Sequence, residues 1–280
     1  MSRVARRKAL SNAVVFFCGA SVVLALIPLV LIFVYVIRQG FSSLNWDFFT
    51  KMPKPVGETG GGMANAIVGT LILIAIAAAI AIPIGIVSGV YLSEYRRAKF
   101  ATLVRFTADV LNGVPSIVIG IFAYGLAVLP VKHFSALAGG LALGFMMIPI
   151  ITRTTEELLN LVPGPLREGA LALGATRARA AFSVMVPAAL PGIMTGILVA
   201  FARIAGETAP LLFTALGNRF WHQGLDQPIA TLPLQIYAYA IAPYDDWHRQ
   251  AWAGALVLIT LVFLASLAAR VATRGRTLAR

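Results

Sequence analysis

The sequence predicts an all-α polytopic membrane protein with six transmembrane helices. Three observations carry that prediction. The chain is 59% hydrophobic and only 12% charged, with a mean hydropathy of +0.85, whereas a soluble domain carries about 25% charge. Apolar runs fall at roughly 12–37, 64–92, 106–129, 134–151, 184–213 and 251–269, most of them near or above the ~20 residues that cross a bilayer. The Lys and Arg residues collect in alternate connections between these runs. No run shows the strict alternation of a barrel strand, so the spans are expected to be helical.

The opening "MSRVARRKAL" has the charge of a signal peptide. The apolar segment behind it runs for about 26 residues, beyond the 7–15 of a cleavable core, so it is expected to remain as an anchor. The only cysteine, Cys18, lies in that segment. An intramolecular disulfide or a cysteine-based metal site is therefore excluded. Four basic residues lie in each of four places: the N-terminal arm, the segment after the second run, the segment after the fourth, and the tail. Those sixteen face six on the other side: Arg38, Lys51, Lys54, Lys132, Arg219 and Arg249. The excess places both termini in the cytoplasm. It also accounts for the net charge of +12 without nucleic acid.

The organisation that follows has three parts. Residues 1–63 form a cytoplasmic arm, the first helix and an outer loop; 64–270 form the transmembrane domain, with a cytoplasmic loop at about 161–187; 271–280 form a cytoplasmic tail. The second long outer connection, 214–250, holds "TLPLQIYAYAIA", too short to span and expected to be a re-entrant or surface helix. Glycines four apart, at Gly85/Gly89, Gly140/Gly144 and Gly192/Gly196, are candidate points of close helix approach.

The cytoplasmic loop reads "LVPGPLREGALALGATRARAAFSVMVP". Pro165 suits the first turn of a helix, Gly174 can close that helix in a left-handed conformation, and Thr176 can cap the next. Two short helices would meet at a glycine elbow. Their small and apolar residues suit either a protein partner or a membrane surface.

This loop resembles the "EAA" loop of the ABC-importer permease family: Glu-Ala-Ala, three residues, Gly, nine residues, Ile, one residue, Leu-Pro. Glu168, Ala170, Gly174 and Pro187 match; Gly169, Val184 and Val186 depart from it. "YLSEY" (91–95), "GVPSIVIGIFAYG" (113–125), "RIAGETAPLLFTA" (203–215) and "ATLPLQIY" (230–237) are similar to the phosphate-importing members of that family. The resemblance implies the type I ABC importer permease (MetI-like) fold in a bacterial inner membrane. It implies a permease subunit and not an enzyme, with inorganic phosphate as substrate. Its implied partners are a second homologous permease chain, an ATPase dimer docked on the loop, and an outer phosphate-binding protein. ATP and Mg would be bound by the ATPase, and no cofactor by this chain.

The sequence contains no Gly-Lys pair, and so no phosphate-cradling G-x-x-x-x-G-K-[ST]. It has no H-E-x-x-H, and His133, His222 and His248 map to outer loops, so no metal or catalytic set is expected. Asp109 and Asn112, in the inner half of the third run, are candidates for lining a path or for interhelical hydrogen bonding. Glu156 and Glu157 read as a solvated face. The rival functions are a permease for sulfate or molybdate, and an ATP-independent carrier or channel.

Arg203 and Glu207 interrupt the fifth run. That run continues past Arg203, so a helix end is not expected to stabilise the charge there. A charge at a span's centre costs about 2.5–3.5 kcal/mol, while an i,i+4 pair returns only about 0.2–0.5 kcal/mol. The pair must therefore face the bundle, a water-filled path or a partner. One role is an ion pair between subunits. The other is a guanidinium that meets phosphate, since its planar fork donates two parallel hydrogen bonds. Gly206 and Pro210 can break the helix at Glu207.

Overall fold

Glycine decides where the bundle closes. The computed structural model describes residues 3–58 and 60–277, and its central pair is α3 (Ala64–Glu94) against α6 (Ala136–Leu161). A methyl group at Gly85 would stand 2.7 Å from Ile151 Cβ, and one at Gly89 would stand 2.5 Å from Thr155 Cβ. The helix α9 (Val186–Ala205) covers another face of α6. There, methyls at Gly192 and Gly196 would lie 2.8 Å from Leu158 Cδ2 and 2.3 Å from Thr154 Cγ2. Gly140 meets Ile76 in the same way, whereas Gly144 has only ordinary contacts at 3.7 Å. Leu73, Ala77, Leu143, Met147, Ile151 and Ile193 fill the core between these helices.

Around this centre run α1 (Arg3–Gly40), α2 (Trp46–Thr50), α4 (Lys99–Gly113) and α5 (Ser116–Ala123), the last prolonged by a π turn to Val128. After α6 come α7 (Gly164–Ala172) and α8 (Arg177–Ala180), which passes through a π turn into α9. The chain then forms α10 (Ala209–Leu212), α11 (Leu232–Ala240) and α12 (Asp245–Thr277). The described residues hold five helices long and apolar enough to cross a membrane, or six with α4 and α5 taken as one bent span. Of the described side chains of α1, only Val36 and Gly40 are buried. That helix meets α12 near its C-terminal end, where Tyr35 packs edge-on against Trp252 at 5.0 Å.

Three spans differ from their apolar runs. The third is not one straight helix: α4 and α5 meet at 109°. Pro115 holds Val114 extended (φ −70, ψ 132), because the ring excludes helical geometry from the residue before it. The fifth helix starts at Arg177 and ends at Ala205, eight residues before its run does. The sixth continues to Thr277; residues 278–280 of the tail lie outside the described residues.

The long connection at 214–250 closes over one end of the bundle through backbone hydrogen bonds. Free amides at the start of α6 donate to it: Ala136 N to Gln227 O and Leu137 N to Leu225 O, both at 3.0 Å. The short helix α11 tucks beneath, with Leu232 N donating to Thr70 Oγ1 at 2.8 Å. Phe48, Met63, Leu232 and Tyr239 form a second apolar cluster there.

Candidate translocation and coupling sites

Arg203 lies in the last turn of α9, and Gly206 ends the helix. The expectation that the helix continues past the arginine is corrected. At this end the unpaired carbonyls carry partial negative charge, which favours a cation. The break also undoes the expected pair, because Glu207 lies beyond the helix and no longer stacks one turn above Arg203. No ion pair joins the two among the described residues. Glu207 is half-buried; Arg203 is exposed and continues a stripe with Thr195 and Val199, four residues apart on one face of α9.

Beyond the break, Pro210 packs against Gly120 of α5, where a methyl would lie 2.6 Å from Pro210 Cα. The stretches "GVPSIVIG" and "RIAGETAP" therefore touch. Outside this contact is a cleft of about 340 Å³ whose lining includes Asn218, Arg219, Thr231, Gln235 and Trp247. Arg219 stands over the Trp247 ring at 5.7 Å, and Asn65 Nδ2 donates to the carbonyls of Asn218 and Arg219 at 3.2 Å. Burial pushes the pKa of the neighbouring Tyr239 phenol up.

The loop at 161–187 forms the elbow expected of it. Pro165 sits in the first turn of α7, and Gly174 has φ +84. Ala175 N donates to Ala170 O at 3.1 Å and Gly174 N to Leu171 O at 3.0 Å, the paired closure of a left-handed C-terminal cap. Thr176 Oγ1 accepts from Arg179 N at 3.3 Å. No residue of α7 is buried, Leu173 is 91% exposed, and Glu168 points to solvent. Ala170 and Pro187 are half-buried, Pro187 in the first turn of α9.

Asp109 and Asn112 lie on α4, before the bend. They fall in the first half of the third span, which is bent where the sequence has one continuous apolar run. Asp109 Oδ1 pairs with Arg153 Nε at 3.0 Å, while Asn112 is half-buried near the end of the helix. No hydrogen bond or ion pair among the described residues joins either one to Arg203.

Glu156 overturns its reading as a solvated residue; Glu157 is exposed as expected. The Glu156 side chain is 5% exposed, and its carboxylate accepts from Arg105 Nε at 2.5 Å and Arg153 Nη1 at 2.7 Å. Arg105 also donates to Arg96 O at 3.0 Å and Leu92 O at 2.9 Å. Glu94, 8% exposed, pairs with Arg167 of α7. The sequence offered one clue, Arg153 one turn before Glu156. The partners from α4 and α7 come from distant positions and left none.

The comparisons with known proteins agree with this architecture. Residues 81–277 match the family described as binding-protein-dependent transport system inner membrane component. The chain is 45% identical over 253 residues to the phosphate transport system permease protein PstA of Yersinia pestis, covering 90% of this chain and 86% of that protein. It is 48% identical over 236 residues to PstA of Xylella fastidiosa, with 84% and 82% covered. Against PstA of Haemophilus influenzae it is 46% identical over 245 residues, with 87% and 86% covered. Among solved structures, a chain of the MetNI methionine ABC transporter in inward-facing conformations superposes with a TM-score of 0.61. That match has 21% identity and covers 75% of this chain and 92% of the other, and it bears on the fold alone. With its bent third span, its glycine elbow and these relatives, the chain belongs to the family of binding-protein-dependent transport system inner membrane components, alongside the PstA permeases.

Proposed function

We propose that this chain is the permease subunit through which an ATP-driven importer moves inorganic phosphate into the cell. The observation that carries the reading is Arg203, an exposed guanidinium on a spanning helix with no carboxylate partner among the described residues. The helix end contributes only about 0.3–1 kcal/mol toward such a charge, and an unpaired guanidinium on a spanning helix turns to a polar path or a partner in preference to lipid. The stripe of Thr195, Val199 and Arg203 therefore faces a second permease chain and the path between them. Phosphate is the anion such a fork suits, and it is the substrate printed in the names of the curated relatives.

The partners follow from the same reading. A PstC-like permease would cover the α9 stripe, a PstB-like ATPase dimer would take the exposed elbow of α7, and a PstS-like binding protein would deliver phosphate at the outer loops. ATP and Mg belong to the ATPase; this chain supplies neither nucleophile nor metal ligand to the chemistry. Both termini lie in the cytoplasm.

Phosphate uptake by the complex in proteoliposomes tests the assignment, with copurification yield measured beside it. Arg203→Gln should abolish most uptake while the complex assembles, and Arg203→Lys should recover part, since a point charge replaces a fork. Exchanging Arg203 and Glu207 should not rescue uptake. Normal uptake by Arg203→Gln in an intact complex would sink the role of this residue.

A further inference from the structure

Few buried side chains hold α7 and α4 to the bundle, and a set of ion pairs ties both helices to it. The coupling helix α7 buries no residue, and α4 buries only Ala101 and Ala108 across its fifteen residues. Both are tied to the same short stretch of chain. At the end of α3, Glu94 binds Arg167 of α7, while the carbonyls of Leu92 and Arg96, on either side of Glu94, accept from Arg105 of α4. Arg105 then passes to Glu156, Glu156 to Arg153, and Arg153 back to Asp109 on α4. The two carboxylates at the hubs, Glu94 and Glu156, are 8% and 5% exposed. They stand on α3 and α6, the helices that Gly85 and Gly89 lock together.

The arrangement separates fixed posts from movable arms. The carboxylates ride on the rigid pair, Arg167 rides on a helix that buries none of its residues, and Arg105 rides on one that buries two. Beyond Asp109, α4 ends at the Val114–Pro115 break, where the chain turns by 109° into α5, and α5 packs on Pro210 just past Arg203. We infer that Glu94 and its flanking carbonyls form a junction that conveys movement of the coupling helix to α4, and so to the bend that sets α5 beside the Arg203 segment. Glu94 is a positioning residue: it touches no substrate and acts through Arg167 and the end of α3. The inference rests on the reading of this chain as an ATP-driven permease.

The test uses the complete reconstituted complex. In a Cys18→Ser background, spin labels at exposed Thr102 and Ile121 report the angle between α4 and α5 with and without ATP and vanadate. The wild-type complex should show a nucleotide-dependent change in label distance. Glu94→Gln should still copurify its ATPase and hydrolyse ATP, but lose that change. Its phosphate uptake per ATP should fall by about fivefold or more, the lower end of ordinary coupling between sites. Glu94→Asp, which keeps the charge, should recover part of both. Wild-type label movement and uptake per ATP in Glu94→Gln would overturn the proposal. If Glu94→Gln does not assemble, the double variant Glu94→Ala, Arg167→Ala leaves neither charge unmatched. Wild-type coupling in that double variant overturns the proposal, and uncoupled hydrolysis supports it. A wild-type complex with no ATP-dependent phosphate uptake would instead count against the functional reading.

Discussion

Glu156 Oε1 accepts from Arg105 Nε at 2.5 Å, inside a site where the carboxylate is almost fully excluded from solvent. Replacing Glu156 with Ala leaves Arg105 with no carboxylate and Arg153 with only that of Asp109. Removing one partner of a buried ion pair costs about 3–5 kcal/mol. Glu157→Ala, on an exposed neighbour, should cost little. Thermal unfolding of the two detergent-solubilised variants checks this, and equal midpoints would contradict the burial of Glu156.

Two glycines of the same loop should respond with opposite sign. Gly174 has φ +84 and open space around it, so Gly174→Val suffers only from backbone conformation, by about 1–2 kcal/mol. That strain opens the elbow and should uncouple ATP hydrolysis from uptake while the permease still inserts. Gly169 lies inside α7 with nothing within 4 Å of a new methyl. Gly169→Ala should strengthen α7 by roughly 0.5–1 kcal/mol and leave coupling intact. ATPase and uptake assays on the two variants check this.

The contact between α6 and α9 should not tolerate a larger residue. A methyl at Gly196 would stand 2.3 Å from Thr154 Cγ2, so Gly196→Val must push the helices apart. Overpacking of this kind costs about 1–3 kcal/mol. Gly19, with nothing within 4 Å, should accept Ala without loss. Yields of monodisperse protein after detergent extraction separate the two cases.

Orientation can be read by labelling intact cells. Cysteines replacing Gly224 or Glu58, in a Cys18→Ser background, should react with an impermeant thiol reagent from outside. Tags at Met1 and Arg280 should be protected until the membrane is opened. External reactivity of either tag would contradict the assigned orientation.

Much of the architecture was legible because lipid imposes a simple rule. A spanning segment must satisfy its own backbone hydrogen bonds, so long apolar runs announce helices, and uneven Lys and Arg counts give an expected orientation. The elbow was legible for a similarly local reason. Pro165, Gly174 and Thr176 each constrain their own backbone, and Gly174 takes the positive φ expected of it. The glycine spacing at Gly85/Gly89 and Gly192/Gly196 gave the points of contact, since only a missing side chain leaves room for the facing Ile151, Thr155, Leu158 and Thr154.

Charge was where the linear reading stopped. Spacing placed Glu207 one turn above Arg203, while Gly206 and Pro210 offered a break at the same point; it is the break that forms, with Gly206 ending α9 between the two charges. Whether a helix continues through a glycine depends on what packs beyond it, here Pro210 against Gly120. Glu156 and Glu157 read together as a solvated face near the end of the fourth span, and only folding brings Arg105 onto Glu156 from α4. Glu94 meets Arg167 across 73 positions of sequence. Apolar pattern and backbone preference act within a few residues, so the sequence determined the helices, their caps and the glycine seams. The partners of a charge are chosen by whichever helices the packed bundle brings within about 4 Å, and that only the tertiary structure decided.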